Sequence, residues 1–172
     1  MTQRRWFGLR AGASNWLWLA VVVMALDQWT KSLIVDRFEE FDKLVLLPVL
    51  EIMRLHNEGA AFSFLSTAGG WQRWMFIGLG VVVSAAILIW LRRLPPKGQG
   101  LLAAGLSLIL GGALGNVIDR VLLGHVIDFI RVHWGEHYFP AFNVADSAIT
   151  VGAALVILDN LLELDRTRAK KR

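Results

Sequence analysis

The sequence contains no cysteine. This absence excludes disulfides, iron–sulfur clusters, thiolate zinc sites and a cysteine nucleophile. Charge is also scarce, because Asp, Glu, Lys and Arg make up 19% of the residues, against about 25% in ordinary soluble domains. Apolar residues make up 55% of the chain. This composition excludes intrinsic disorder and predicts a single membrane-embedded domain over residues 1–172.

Four apolar stretches are long enough to cross a bilayer as α-helices. A helix rises about 1.5 Å per residue, so these stretches match a hydrocarbon core about 30 Å thick. The first stretch also resembles a secretory signal, but no small-x-small cleavage site follows it, so we expect an uncleaved anchor. The predicted spans are Trp16–Val35, Trp74–Leu91, Leu101–Ile118 and Val144–Leu162.

Lysine and arginine are concentrated in three short segments. Residues 1–15, residues 92–100 and the tail after residue 162 together hold 11 of the 18 Lys and Arg. Basic loops next to membrane spans remain on the cytoplasmic side. We therefore expect both termini to be cytoplasmic and residues 36–73 and 119–143 to face outward. This topology explains the basic tail, so we expect no nucleic-acid partner.

Each external segment contains a stretch that is typical of a β-strand. Val49–His56 is rich in strand-forming residues, and Val126–His133 alternates between apolar and polar side chains. Such runs, bounded by turn-forming residues, predict short strands. The predicted fold is therefore an α-helical integral membrane protein of four transmembrane helices with a small extracytoplasmic β-sheet.

The polar residues at membrane depth are predicted to collect at one level, near the outer interface. Spans one and three run outward and span four runs inward, so these residues meet at the same ends. Ionisable groups inside a membrane are costly and indicate a functional site. The residues are Asp27 and Lys31 in the first span, Asn116, Asp119 and Arg120 in the third, Asn143 and Asp146 in the fourth, and Asp128 in the second strand.

Some of these residues also fit purely structural roles. Asp27 and Lys31 are spaced i,i+4 on one helical face, which favours a structural ion pair. Asp119 fits a structural ion pair at a helix end as well as it fits a role in the site. The residues alone do not decide between Asp119 and Asp128 as a catalytic acid. The glycines within residues 111–115 indicate close helix packing rather than chemistry.

Two aspartates stand out by their surroundings. Asn143 followed three residues later by Asp146 is typical of a helix start, and a carboxylate in the first turn is favoured in its ionised form by the helix dipole. Asp128 lies between apolar residues on both sides, where burial raises the pKa of a carboxyl. One ionised and one protonated carboxyl, brought together, is the arrangement of an aspartic protease.

Three alternatives are less favoured by the residues. His133-Trp-Gly-Glu-His137 fits an H-x-x-E-H zinc pattern, but Gly135 interrupts the helix that this pattern needs. Ser63 or Ser66 with Lys31 is a serine–lysine alternative that no surrounding motif supports. A small non-enzymatic transporter or accessory protein would spread its buried charges across the bilayer depth. We therefore expect neither a metal nor a cofactor.

Five sequence blocks, in order, resemble the lipoprotein signal peptidase (signal peptidase II) family. They span residues 26–146, and the length and topology of the chain match as well. The blocks are Leu26-Asp-Gln-Trp-Thr-Lys31, Asn57-Glu-Gly-Ala-Ala-Phe62, Gly111-Gly-Ala-Leu-Gly-Asn-Val-Ile-Asp-Arg120, Gly124-His-Val-Ile-Asp-Phe129 and Phe139-Pro-Ala-Phe-Asn-Val-Ala-Asp146.

The resemblance implies a cofactor-free aspartic endopeptidase of the bacterial cytoplasmic membrane, with an active site near the periplasmic face. It implies four helices, a periplasmic β-cradle and a short periplasmic helix. The implied substrate is a prolipoprotein with a diacylglyceryl-modified Cys, embedded in membrane lipid and cleaved just before that Cys. Cyclic peptides such as globomycin are the implied inhibitors.

The resemblance also assigns roles to residues of this chain. Asp128 and Asp146 match the catalytic pair of the family. The positions that match its supporting residues are Asp27, Lys31, Asn57, Asn116, Asp119, Arg120 and Asn143.

Overall fold

The structure, a computed structural model, describes residues 13–59, 69–95 and 97–170. Parts of the predictions fall outside these ranges. They are Arg4, Arg5 and Arg10 of the basic segment 1–15, Lys171 and Arg172 of the basic tail, Ser63 and Ser66 of the serine–lysine alternative, and residues 60–62 of the second sequence block. The family resemblance also implies a short periplasmic helix. No such helix is among the described residues, so it stays a prediction.

Four long helices form the membrane part of the described chain. Each is long and apolar enough to cross a bilayer, which confirms the predicted fold class. The last helix continues beyond the predicted end of its span at Leu162, because its final residues include strong helix formers such as Glu, Arg, Ala and Lys. The helices are α1 (Leu17–Arg37), α2 (Trp71–Arg93), α3 (Gly100–Leu122) and α4 (Val144–Lys170), and a 3₁₀ turn at Ser14–Trp16 precedes α1.

Helix α3 is the central helix, and α1, α2 and α4 all pack against it. The glycines of α3 make this packing close, as the sequence predicts. A Cβ added at Gly111 would lie 2.6 Å from the carbonyl oxygen of Ala20, and one at Gly112 would collide with the carbonyl oxygen of Ala145. Backbone therefore touches backbone on two sides of α3, which brings the ends of α1 and α4 to the end of α3 that carries the polar residues.

A four-stranded antiparallel sheet lies at one end of the helices, and this end is called the sheet end below. Its strands are β1 (Lys43–Leu47), β2 (Leu50–Asn57), β3 (Val126–Trp134) and β4 (His137–Tyr138), in the order β1-β2-β3-β4. The sheet confirms the predicted pair β2 and β3. The sequence pattern does not predict the other two strands, since β1 is an apolar run without alternation and β4 has only two residues.

The pairing of β2 with β3 makes Asn57 a diagonal neighbour of Asp128 across the two strands. Leu55 lies opposite Asp128 and Asn57 lies opposite Val126, after an irregularity between Ile52 and Leu55. A small apolar cluster of Ile34, Ile127 and Phe129 fixes β3 against α1. The sheet therefore holds Asp128 at the sheet end of the bundle.

Candidate active site

Asn143 and Asp146 cap the start of α4 reciprocally. The Asn143 Oδ1 accepts a hydrogen bond from the Asp146 amide at 2.9 Å, and the Asp146 Oδ2 accepts one from the Asn143 amide at 3.2 Å. This is the bonding pattern of a capping box. The cap fixes the Asp146 side chain at the positive end of the helix dipole.

The same asparagine reaches the second acid. Its Nδ2 donates to Asp128 Oδ1 at 2.8 Å, while Asn57 Nδ2 donates to Asp128 Oδ2 at 2.9 Å. Asn116 Nδ2 donates to Asp146 Oδ1 at 2.8 Å. Three asparagines from three separate elements therefore hold the two carboxyls, and Asn143 is bonded to both.

Asp128 is only 3% exposed. Burial, followed by the nearby charge of Asp146, raises the pKa of the Asp128 carboxyl from 3.8 to about 7. The hydrogen bonds from Asn57 and Asn143 and the charge of Lys31 act in the opposite direction. The neutral form expected from the apolar neighbours of Asp128 is therefore accessible near neutral pH.

Lys31 uses all three of its ammonium donors. Its Nζ lies 2.7 Å from Asp27 Oδ2, 2.8 Å from Asp119 Oδ2 and 3.1 Å from Asn116 Oδ1. The expected pair with Asp27 is present, and the ion pair considered for Asp119 is formed with the same lysine. Because the Asn116 oxygen faces Lys31, its amide nitrogen is free to donate to Asp146.

Two contacts of α1 were not anticipated from the sequence. Asp27 Oδ1 accepts a hydrogen bond from the Ala145 amide at 2.9 Å, so it also satisfies a free N–H group of α4. Gln28 Nε2 donates to Asp119 Oδ1 at 2.8 Å. Its i,i+3 spacing from Lys31 could have indicated this role. Gly115 has more than a packing role, since a Cβ there would lie 2.6 Å from Asp27 Oδ2.

A cavity of about 570 Å³ opens at the two acids. Arg120 lies on its wall, where the guanidinium stacks over the Phe76 ring and Nη2 donates to the Gly59 carbonyl at 2.8 Å. The remaining wall is mostly apolar. The cavity is lined by Asn57, Phe76, Asn116, Arg120, Val126, Asp128, Phe139, Pro140, Ala141, Phe142, Asp146, Ser147, Ile149, Thr150 and Val151.

The H-x-x-E-H pattern lies on a β-hairpin. His133 is in β3 and His137 is in β4, with Gly135 at the turn between them at a φ of +59°. The His133 ring stacks on Tyr138. The two histidines therefore do not share a helical face. In the described part of the chain, no group of three or more His, Asp or Glu side chains has the geometry of a metal site.

Comparisons with known proteins agree with this fold over most of the chain. A model of the signal peptidase (SPase) II family matches residues 19–162. The chain is 52% identical over 152 residues to the lipoprotein signal peptidase of Pseudomonas aeruginosa, covering 87% of this chain and 89% of the relative. It is 48% identical over 156 residues to that of Acinetobacter baylyi, covering 91% and 86%.

Two solved structures have the same architecture. Both are bacterial membrane enzymes determined by the in meso method, at 2.3 Å and 1.9 Å resolution. Their TM-scores are 0.77 and 0.72, at 32% and 31% sequence identity. The first match covers 89% of this chain and 91% of the other, and the second covers 94% and 98%.

The four spans, the sheet and these relatives define a multi-pass membrane protease. The chain belongs to the signal peptidase II family, and its function is that of a signal peptidase II. None of the relatives supports the transporter alternative.

The raised pKa of Asp128 predicts a specific dependence of stability on pH. The folded protein holds this proton up to about pH 7, whereas the unfolded chain releases it near pH 3.8. Stability should therefore fall as pH rises between these values, by about 2–4 kcal/mol. Asp128→Asn has no such proton, so its thermal unfolding in detergent should be less sensitive to pH. An unfolding temperature that changes equally with pH in the wild type and in Asp128→Asn over this range would contradict the assigned pKa.

Proposed function

We propose that Asp128 and Asp146 are the catalytic pair of an aspartic endopeptidase. The observation that carries this proposal is the double bonding of Asn143, whose side chain donates to Asp128 and accepts from the Asp146 amide. Both acids line the same cavity. Asp128 is the neutral partner, since burial and the charge of Asp146 raise its pKa to about 7. Asp146, at the positive end of α4, is the ionised partner.

The reaction follows from this division of charge. The Asp146 carboxylate takes a proton from water while the water oxygen bonds to the scissile carbonyl carbon, and Asp128 gives its proton to the carbonyl oxygen. The intermediate collapses when the carbon–nitrogen bond breaks. The proton on Asp146 then goes to the leaving amine, and one hydroxyl proton returns to Asp128. Both acids end in their starting states, so the cycle needs no metal and no cofactor.

The other polar residues hold this pair in place. Asn57, Asn116 and Asn143 orient the carboxyls through their amide nitrogens. Lys31 holds Asn116 in the orientation that donates to Asp146, and its own charge is balanced by Asp27 and Asp119. Arg120 contributes positive charge to the cavity wall. These seven residues are supporting groups rather than proton carriers.

The substrate that fits this site is a prolipoprotein with a diacylglyceryl-modified Cys, and cleavage occurs just before that Cys. The relatives of this chain in Pseudomonas and Acinetobacter carry the name lipoprotein signal peptidase. Helices α2 and α4 both pack on α3, and residues of all three helices line the cavity. The apolar wall suits a signal helix and acyl chains that arrive from membrane lipid. Cyclic peptide inhibitors such as globomycin would occupy the same cavity.

The sheet end is the periplasmic side of a bacterial cytoplasmic membrane. The distribution of Lys and Arg supports this orientation. Arg92 and Arg93 at the end of α2, Lys97 between α2 and α3, and Arg166, Arg168 and Lys170 in the last part of α4 all lie at the helix ends away from the sheet. Both termini are then cytoplasmic. A substrate anchored in the outer leaflet would present its scissile bond at the level of the two acids.

Removing either acid should abolish cleavage. Asp128→Asn and Asp146→Asn should each leave a folded, membrane-inserted protein that does not cut a lipid-modified prolipoprotein, because each lacks one of the two proton-transfer groups. Asp36→Asn, at the exposed end of α1, is a matched control that should cleave normally. Near-normal turnover in detergent by Asp128→Asn or Asp146→Asn would refute the assignment of these two residues as the catalytic pair.

Chelation should leave the activity intact. The reaction moves protons only between water, substrate and two carboxyls, so EDTA should not slow cleavage by the purified protein. His133→Ala and His137→Ala should retain most of the activity, since both histidines belong to the β3–β4 hairpin. Loss of activity in EDTA that added zinc restores, together with an inactive His variant, would establish the H-x-x-E-H site instead.

A further inference from the structure

Arg73 lies in the first turn of α2 and bonds to the last turn of α3. Its Nε donates to the Arg120 carbonyl oxygen at 2.7 Å, and its Nη2 donates to the Val121 carbonyl oxygen at 2.9 Å. The final carbonyls of a helix have no partner within the helix and carry its negative dipole end. The guanidinium of Arg73 therefore satisfies two such carbonyls and places a positive charge where it stabilises α3.

The same guanidinium packs against the turn that leads from α3 into β3. Gly124 has a φ of +91°, which favours glycine, and a Cβ added there would lie 3.5 Å from Arg73 Nη1. Asp128 follows only four residues later in β3. Arg73 thus contacts the segment that joins the helix carrying Arg120 to the strand carrying Asp128.

The side chain of Arg120 is also held by α2. It lies over Phe76, with 4.8 Å between the guanidinium carbon and the ring centroid. Phe76 is three residues after Arg73, so both lie on one face of α2. This face contacts Arg120 at its backbone and at its side chain. The charge of Arg120 in turn interacts with the carboxylates of Asp128 and Asp146.

We infer that Arg73 is a positioning residue of the active site, which acts by fixing Arg120 on the cavity wall beside the two acids. The inference rests on the proposed catalytic pair. Arg73 itself bonds to main-chain oxygens and carries no proton in the reaction. Without Arg73, the last turn of α3 loses the two hydrogen bonds to its carbonyls, and Arg120 moves away from Asp128 and Asp146. Because the two acids then lack a nearby positive charge, they hold their shared proton to higher pH.

A double-mutant cycle separates this role from a general effect on stability. Arg73→Gln should lower kcat/KM for a lipid-modified prolipoprotein about tenfold, and both limbs of its pH profile should move to higher pH. The same substitution in an Arg120→Gln background should have no further effect, because the residue through which Arg73 acts is already missing. Arg93→Gln, exposed at the other end of α2, is the matched control and should match the wild type.

The inference would be overturned if Arg73→Gln lowered kcat/KM by the same factor in the wild type and in the Arg120→Gln background. A pH profile of Arg73→Gln that does not move would also overturn it. If Arg73→Gln does not fold, Arg73→Lys replaces it. Lysine keeps the charge but lacks the paired donors, so a smaller shift in the same direction is expected, and a profile identical to the wild type would overturn the role.

Titration of the Asp128 carboxyl gives a readout that does not need cleavage. Its pKa should be higher in Arg73→Gln than in the wild type, and an unmoved pKa would overturn the role of Arg73 alone. A wild-type protein that cleaves no lipid-modified prolipoprotein would instead refute the proposed function, whatever the titration shows.

Discussion

The arrangement of the two acids depends on one buried amide, that of Asn143. Its oxygen is committed to the first turn of α4, where it accepts from the Asp146 amide, so its nitrogen must point toward Asp128. The Asn143 side chain is fully buried. A helix cap therefore also sets the distance between the strand acid and the helix acid. The capping hydrogen bonds at the start of α4 are therefore part of the candidate active site.

A second constraint is the cost of charge at membrane depth. Lys31 and its two carboxylate partners are almost completely buried, and the lysine is fully bonded to Asp27, Asp119 and Asn116. Such a network forms only if α1 and α3 approach closely, and Gly115 permits this because a Cβ there would collide with Asp27. Backbone packing, charge pairing and the orientation of Asn116 toward Asp146 are thus parts of one structure.

The sequence predicts the features that depend on local pattern. Long apolar runs predict the four helices, and strand-forming stretches predict β2 and β3. Contacts between distant segments leave little trace in the sequence: the cap that Asp27 provides for α4, the bond from Gln28 to Asp119 and the bonds from Arg73 to α3 all join different helices. For the same reason, the residues alone could not separate Asp119 from Asp128. In the structure Asp119 is paired with Lys31, whereas the bonds to Asp128 come from asparagines.

If Asp128 and Asp146 share one site, the charge of Asp146 contributes to the raised pKa of the Asp128 carboxyl. The most direct measurement is the titration of the Asp128 carboxyl, by spectroscopy of isotope-labelled aspartate, in the wild type and in Asp146→Asn. In the wild type the pKa should be about 7, since burial and the Asp146 charge both raise it. Removing that charge should lower the pKa of Asp128. An unchanged pKa in the variant would show that the two carboxyls do not interact and would contradict the proposed pair.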